Sequence, residues 1–273
     1  MDDVRTPVSV SRSILRLTAS NGDDYTLAGT NTWIVLSPDG SEAVIVDPGP
    51  AEPDHERAIH RAVRGRRVRA IVLTHFHDDH SDLAPALHDA LAAPVLARDQ
   101  RLALGAGPIE EGYTPRYGAV PISVVSTPGH THDSISVLVR TDAALLTGDT
   151  FLGGAPTMID YPDGDLGDYL RSLESMLELA RTLPLRYLLP GHGDASADPV
   201  GALSAYIRHR RVRLEQVAVH HRAGRNDADD IVQRIYPTVN DMLRPAALQN
   251  VQASLAYLND RATTTSHVRK ENL

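Results

Sequence analysis

The stretch LTHFHDDHSD, residues 73–82, places three histidines and three aspartates in ten positions. It follows Val68–Leu73, a mostly apolar run of strand character. Three further strand-like runs end in the same kind of residue. Val125-Ser126-Thr127-Pro128-Gly129 leads into His130, Leu146-Thr147-Gly148 into Asp149, and Leu189-Pro190-Gly191 into His192. Strand ends along one edge of a sheet meet in space however far apart they lie in sequence, and loops held by a rigid sheet are where sites are built. Glycine precedes three of the four anchors, which permits tight turns and close approach of the backbone.

Together these anchors supply seven ligand-type side chains: His75, His77, Asp79, His80, His130, Asp149 and His192. One catalytic zinc takes about three protein ligands plus water. Seven suit two divalent metal ions, with three nitrogen donors on one, two on the other and a carboxylate between them. In an extended loop alternate residues point the same way, so His75 and His77 face one ion. Asp79 and His80, one turn on, face the second. Zinc, manganese and iron all accept His/Asp donors, and zinc is the leading expectation.

The other polar residues read differently. His55, His60, His88, His209, His220, His221 and His267 read as surface or hydrogen-bonded histidines. His132, two residues beyond His130, reads as a non-ligand. Asp78 reads as solvent-facing and Asp82 as a helix-start residue. Asp47, in VIVDPG, ends a strand on the same edge; it reads equally as a partner orienting a ligand histidine or as a turn residue.

The chain has 273 residues, 42% of them hydrophobic, enough for one large domain or one large plus one small. No apolar run has the length of a membrane span. The acidic start and interrupted apolar pattern of MDDVRTPVSVSRSILRL predict no signal peptide. Cysteine is absent, so disulfides and thiolate metal sites are excluded, and a cytoplasmic location is the default expectation. Residues 200–273 carry eleven basic and seven acidic residues, a balance of +4. The net charge of −8 therefore leaves −12 on the first 199 residues. That asymmetry predicts two parts with different surfaces.

Pattern and punctuation predict strands at Asn31–Leu36 and Glu42–Val46 around the turn SPDG, then at Val68–Leu73, Pro121–Ser126, Ser134–Val139, Ala143–Leu146 and Arg186–Leu189. Helices are predicted at Asp54–Arg64, at Ser81–Leu91 with Ser81 as N-cap, and at Asp168–Arg181, whose Leu170, Leu173, Leu177 and Ala180 share a face. Beyond residue 200 only helices are expected, at Val200–Val219, Ala228–Tyr236 and Leu243–Leu258, with a short wing near the end. The domains are expected at 1–198 and 199–273.

THFHDDH, TPGHT, TGDT and PGHG, in that order, resemble the metallo-β-lactamase superfamily over roughly residues 13–195. The resemblance implies an α/β fold, an αββα sandwich with the metal site along one sheet edge. By the same resemblance His75, His77 and His130 hold one metal, Asp79, His80 and His192 the other, and Asp149 bridges. The cysteine ligand of many zinc β-lactamases has no counterpart here, which disfavours antibiotic hydrolysis. Flavodiiron oxidoreductases carry glutamate where His77 stands, which disfavours redox chemistry. HRRVRLEQV (209–217), IVQRIYP (231–237) and LRPAALQNVQASLAYL (243–258) resemble the winged-helix extension of the subgroup that includes the mitochondrial lactamase-like endoribonuclease. GTNTWIV (29–35) and LTGDTFLGG (146–154) resemble it too; Gly154-Ala155-Pro156 departs from it, so substrate preference does not carry over.

These readings lead to a binuclear metal-dependent hydrolase using a metal-bridging hydroxide, with Asp79 as the catalytic proton acceptor. Its substrate is a small molecule or single-stranded RNA. The alternatives are a glyoxalase II-like thioesterase or esterase, and a non-enzymatic DNA-binding regulator. Aromatics at 4% and the absence of an aromatic–basic stacking motif weigh against nucleic acid, and the full ligand set weighs against a mere regulator.

Overall fold

The structure is a computed structural model; it describes the backbone of residues 6–110 and 118–271, with side chains to residue 261. The strands are β1 (Val8–Ser9), β2 (Ile14–Thr18), β3 (Asn31–Leu36), β4 (Glu42–Val46), β5 (Arg67–Val72), β6 (Val95–Leu96), β7 (Ile122–Ser126), β8 (Ile135–Val139), β9 (Ala144–Gly148) and β10 (Tyr187–Pro190). The helices are α1 (Pro53–Ala62), α2 (Asp78–Ser81), α3 (Ala84–Leu91), α4 (Leu166–Thr182), α5 (Pro199–Arg222), α6 (Ala228–Ile235) and α7 (Arg244–Glu271).

Two sheets form, a six-stranded one in the order β1-β2-β3-β4-β5-β6 and a four-stranded one in the order β10-β9-β8-β7. Side chains alternate across each strand, and both sheet faces are covered, which is why the central strands are apolar at nearly every position. Trp33, Val35, Val44 and Val72 face inward and meet Val137, Leu146 and Leu189 of the second sheet. Ile34, Ile45 and Ile71 face outward and pack against Ala58 and Ile59 of α1 and Leu87 of α3. On the far side, Leu138, Leu145 and Leu188 pack under Tyr169, Leu173 and Met176 of α4. This is the αββα sandwich that the motif order implies.

The C-terminal helices are not held apart from the sandwich. Leu203 and Ile207 of α5 and Ala253 of α7 belong to the same core as α4. Val217, near the end of α5, joins Ile231, Val232, Val251 and Leu255 in a second core between α5, α6 and α7. The packing thus runs across residue 198, and α5 is the beam that links the two cores.

Local differences from the sequence expectation have physical causes. Ser81 is not an N-cap: it closes the single turn α2, and its hydroxyl donates to the Phe76 carbonyl (3.2 Å). Pro85 cannot continue a helix begun at residue 78, because its ring clashes with the carbonyl four residues back, so a new helix starts at Ala84. No strand follows β10 among the described residues, and the end of the described chain, where a short wing is expected, is helical. Leu248, Val251, Leu255 and Leu258 pack at helical spacing in the second core, and α7 runs on to Glu271. β1 and β6, of two residues each, are too short to carry a period. No described helix is long and apolar enough to cross a membrane.

Candidate metal centre

All seven predicted side chains meet at one edge of the sandwich. The loop after β5 and helix α2 bring His75, His77, Asp79 and His80. The turns after β7, β9 and β10 bring His130, Asp149 and His192. The glycines are required by space. A Cβ on Gly191 would collide with Asp149 Oδ1 and stand 2.6 Å from His80 Cε1, inside the site itself. Gly129, at φ +131°, lies where a Cβ would enter the backbone of Tyr169 at the start of α4.

Among the described residues, donor atoms that could hold a cation fall into three overlapping groups: His75, His77 and His130; His75, His80 and Asp149; and Asp79, His80 and His192. Within each the atoms lie within 4.8 Å of one another. In the first, His77 Nδ1 is 3.0 Å from His75 Nε2 and 3.2 Å from His130 Nε2. In the third, His192 Nε2 is 3.3 Å from His80 Nε2 and 3.2 Å from Asp79 Oδ2. Asp149 lies between them, its Oδ1 3.4 Å from His80 Nε2 and its Oδ2 3.3 Å from His192 Nε2 and 3.9 Å from His130 Nε2.

The outer nitrogen of each imidazole fixes its tautomer. His130 Nδ1 donates to the Met158 carbonyl (2.7 Å) and His192 Nδ1 to the Gly29 carbonyl (3.4 Å). His77 Nε2 donates to Asp160 Oδ2 (3.1 Å) and His80 Nδ1 to Asp47 Oδ2 (3.0 Å). The Thr74 hydroxyl donates to Asp47 (2.7 Å), so it accepts from His75 Nδ1 (3.0 Å). With their outer nitrogens engaged, all five imidazoles turn their other ring nitrogen toward the site. Three face one another around His77 Nδ1 with no proton between them, an arrangement that repels unless a cation sits there. The spacings of 3.0 to 3.3 Å match the edge of a tetrahedron built on metal–nitrogen bonds of about 2.0–2.1 Å, which is about 3.3 Å. Asp149 Oδ1 is buried and has no hydrogen-bond donor, an atom whose demand a cation would satisfy. The donor set therefore fits two divalent ions.

The electrostatics divide the site. Burial, reinforced by the neighbouring histidines, pushes His130 down to about 4 and His75 well below its ordinary value. Burial also opposes charge on His80, but Asp79, Asp149 and Asp47 outweigh it and lift His80 to about 9. His192 is likewise raised, against burial, by Asp149 and Asp79. Asp79 falls to about 2 although burial works against it, because His80 and His192 face it.

Asp47 is an orienting residue: it accepts from Thr74 N (2.7 Å), the Thr74 hydroxyl and His80. Asp78 and Asp82 are exposed. His132 donates to Asp163 (2.8 Å) away from the donor groups. His267 lies beyond the residues whose side chains are described. The sequence reading missed Asp160 and the carbonyls of Met158 and Gly29; carbonyls carry no residue signature, and Asp160 lies in a loop without a motif. It also missed Gln249, whose Nε2 donates to Asp160 Oδ1 (3.0 Å), and Asn250, whose Oδ1 accepts from Ile159 N (3.1 Å).

Above the donors opens a cleft of about 530 Å³. Its floor is His77, Asp79, His130, Asp149 and His192. The rest of its lining includes Leu152, Ala155, Pro156 and Met158, then α5, the 235–239 segment, Leu243 and the start of α7. A model described as the metallo-beta-lactamase superfamily matches residues 25–192, more than half of the chain. The chain belongs to the metallo-β-lactamase superfamily. A second model, the beta-lactamase associated winged helix domain, matches residues 228–264. Superfamily relatives include the beta-lactamase-like protein 2 homolog of Drosophila melanogaster, 28% identical over 91% of this chain and 88% of that protein. Among solved structures, a beta-lactamase domain protein from Burkholderia ambifaria superposes with TM-score 0.74 at 21% identity, over 95% of this chain and 90% of that one. A protein crystallised in a di-iron-bound form superposes with TM-score 0.54 at 25% identity, over 68% of this chain and 96% of that one.

Proposed function

We propose that this superfamily member is a binuclear metal-dependent hydrolase of small acyl substrates, esters or thioesters. The observation that carries the reading is the convergence of seven donors, five of them on the floor of the cleft. In it His75, His77 and His130 would hold one ion, Asp79, His80 and His192 the other, with Asp149 between. Two divalent ions held there, zinc first among the candidates, would acidify water and polarise an acyl carbonyl. Asp79, whose side chain is 29% exposed at the cleft floor, would take the proton from the attacking water. Thr30 donates to its Oδ2 (3.2 Å) and fixes the carboxylate.

The cleft favours a small molecule over RNA. Its volume falls in the range of small-molecule pockets, about 300–1,000 Å³. Its two arginines, Arg210 and Arg213, stand together on α5 rather than forming a track of cations and stacking aromatics along a strand-length groove, and the net charge of −8 disfavours a long phosphate backbone. The test is to give zinc-loaded protein a hexanoyl thioester and, separately, labelled single-stranded RNA. The expected result is thioester turnover that ceases with a chelator and in Asp79→Ala. RNA cleavage without acyl turnover would overturn the reading.

A further inference from the structure

The basic residues of α5 divide by face. Arg211 and Arg222 are exposed and pair with Glu174 (2.6 Å) and Glu215 (2.5 Å). His209, Arg210 and Arg213 line the cleft instead. Neither Arg210 nor Arg213 has a carboxylate partner among the described residues.

Arg210 is only 6% exposed. Its Nη1 donates to Asn250 Oδ1 (2.9 Å) and its guanidinium lies 4.9 Å from the Tyr169 ring centroid, while Nε and Nη2 have no hydrogen-bond partner. Arg213 is braced over Tyr236 at 4.7 Å, with Nη1 donating to Gln216 (3.0 Å) and the Ile235 carbonyl (3.3 Å). Bracing fixes both cations without neutralising them. Burying an uncompensated charge is costly, and a bound anion offsets that cost. The acids of the cleft lie elsewhere: Asp79 and Asp149 belong to the metal floor, and Asp24, toward the 236–243 segment, accepts from Asn240 (2.8 Å). The α5 part of the lining is therefore cationic, the floor carries the candidate metal donors, and the same cleft is lined by Leu152, Ile235, Val239 and Leu243.

We propose that the α5 wall, through Arg213 and Arg210 with His209 beside them, receives an anionic group of the substrate, a carboxylate or a phosphate, remote from the scissile acyl bond. The substrate class is then an acyl ester or thioester with an apolar body and an anionic end. This rests on the acyl-hydrolase reading above. A guanidinium fork receives either anion through charge-assisted hydrogen bonds.

Binding, not turnover, tests it, so its outcome is separate from that of the hydrolase reading. Calorimetric titration of zinc-loaded protein would compare three ketones that cannot be hydrolysed: 2-octanone, 7-oxooctanoic acid and 7-oxooctyl phosphate. At least one anionic ligand is expected to bind about tenfold or more tightly than the neutral ketone. Which one does so identifies the group. Arg213→Gln is expected to reduce that advantage to about twofold, and Arg213→Lys to retain most of it. His209→Asp, which adds a negative charge without touching the Tyr236 stack, is expected to abolish it and guards against misfolding of the first variant. Equal binding of all three ligands would overturn the proposal. So would an anion advantage that survives in Arg213→Gln and His209→Asp, since it would then arise at the metals.

Discussion

Gly191 shows how closely this site is built at the level of single atoms. A methyl group there would occupy the space of Asp149 Oδ1 and crowd His80. Gly191→Ala is expected to weaken metal binding by at least about tenfold, read by competition with a chromophoric chelator; unchanged affinity would mean that the donors do not converge as described. His55 gives a pH test at the same scale. It is 4% exposed, its Nε2 accepts from the Thr32 hydroxyl (2.8 Å), and burial pushes it down to about 4. The unfolded chain takes up this proton near pH 6.5, so its contribution is whole above that value and is lost as pH falls toward 4. The shift corresponds to about 3 kcal/mol. His55→Gln should therefore gain stability relative to wild type as pH drops through that window, measured by urea unfolding; a constant difference would contradict the assignment. The convergence of the seven donor side chains was legible because histidine and aspartate at strand ends are costly without a task. Their orienting partners were only partly legible. Asp47 was ambiguous because turn and partner roles use the same residue, and it serves as both, at φ +51° and with three hydrogen bonds.

Among the elements, α7 reaches furthest. Through Gln249 and Asn250 it holds the 158–160 loop, and that loop orients two histidines of one donor group: Asp160 accepts from His77 and the Met158 carbonyl from His130. The C-terminal helices are thus coupled to the metal centre as well as walling the cleft. Gln249→Ala should lower affinity for one ion by about 10–100-fold with little change in Tm. A cobalt-loaded visible spectrum would report the altered ligand geometry; an unchanged spectrum and affinity would show the contact to be passive. Sequence period located most of the longer elements to within a few residues, but it missed β2 at Ile14–Thr18 and ended the last helix at Leu258 rather than Glu271. It failed where the cause is not periodic, as at Pro85, which divides the segment 78–91 into two helices, and in the two-residue strands that exist only because a neighbouring strand pairs with them.

For the whole molecule, two cores joined by α5 make one unit of sandwich and helical extension, with the cleft at their junction. The motif order made the sandwich legible. The cleft was not, because it is formed by residues as distant as Asp24 and Asn250, and no local pattern links them. The capacity to hold two ions is the decisive property of the site. Zinc titration of the metal-free protein, followed by elemental analysis after desalting, should give two equivalents per chain in the wild type. Asp149→Ala, which removes the carboxylate between the groups, should give less than two. A wild type that holds one equivalent or none after full loading would contradict the binuclear site.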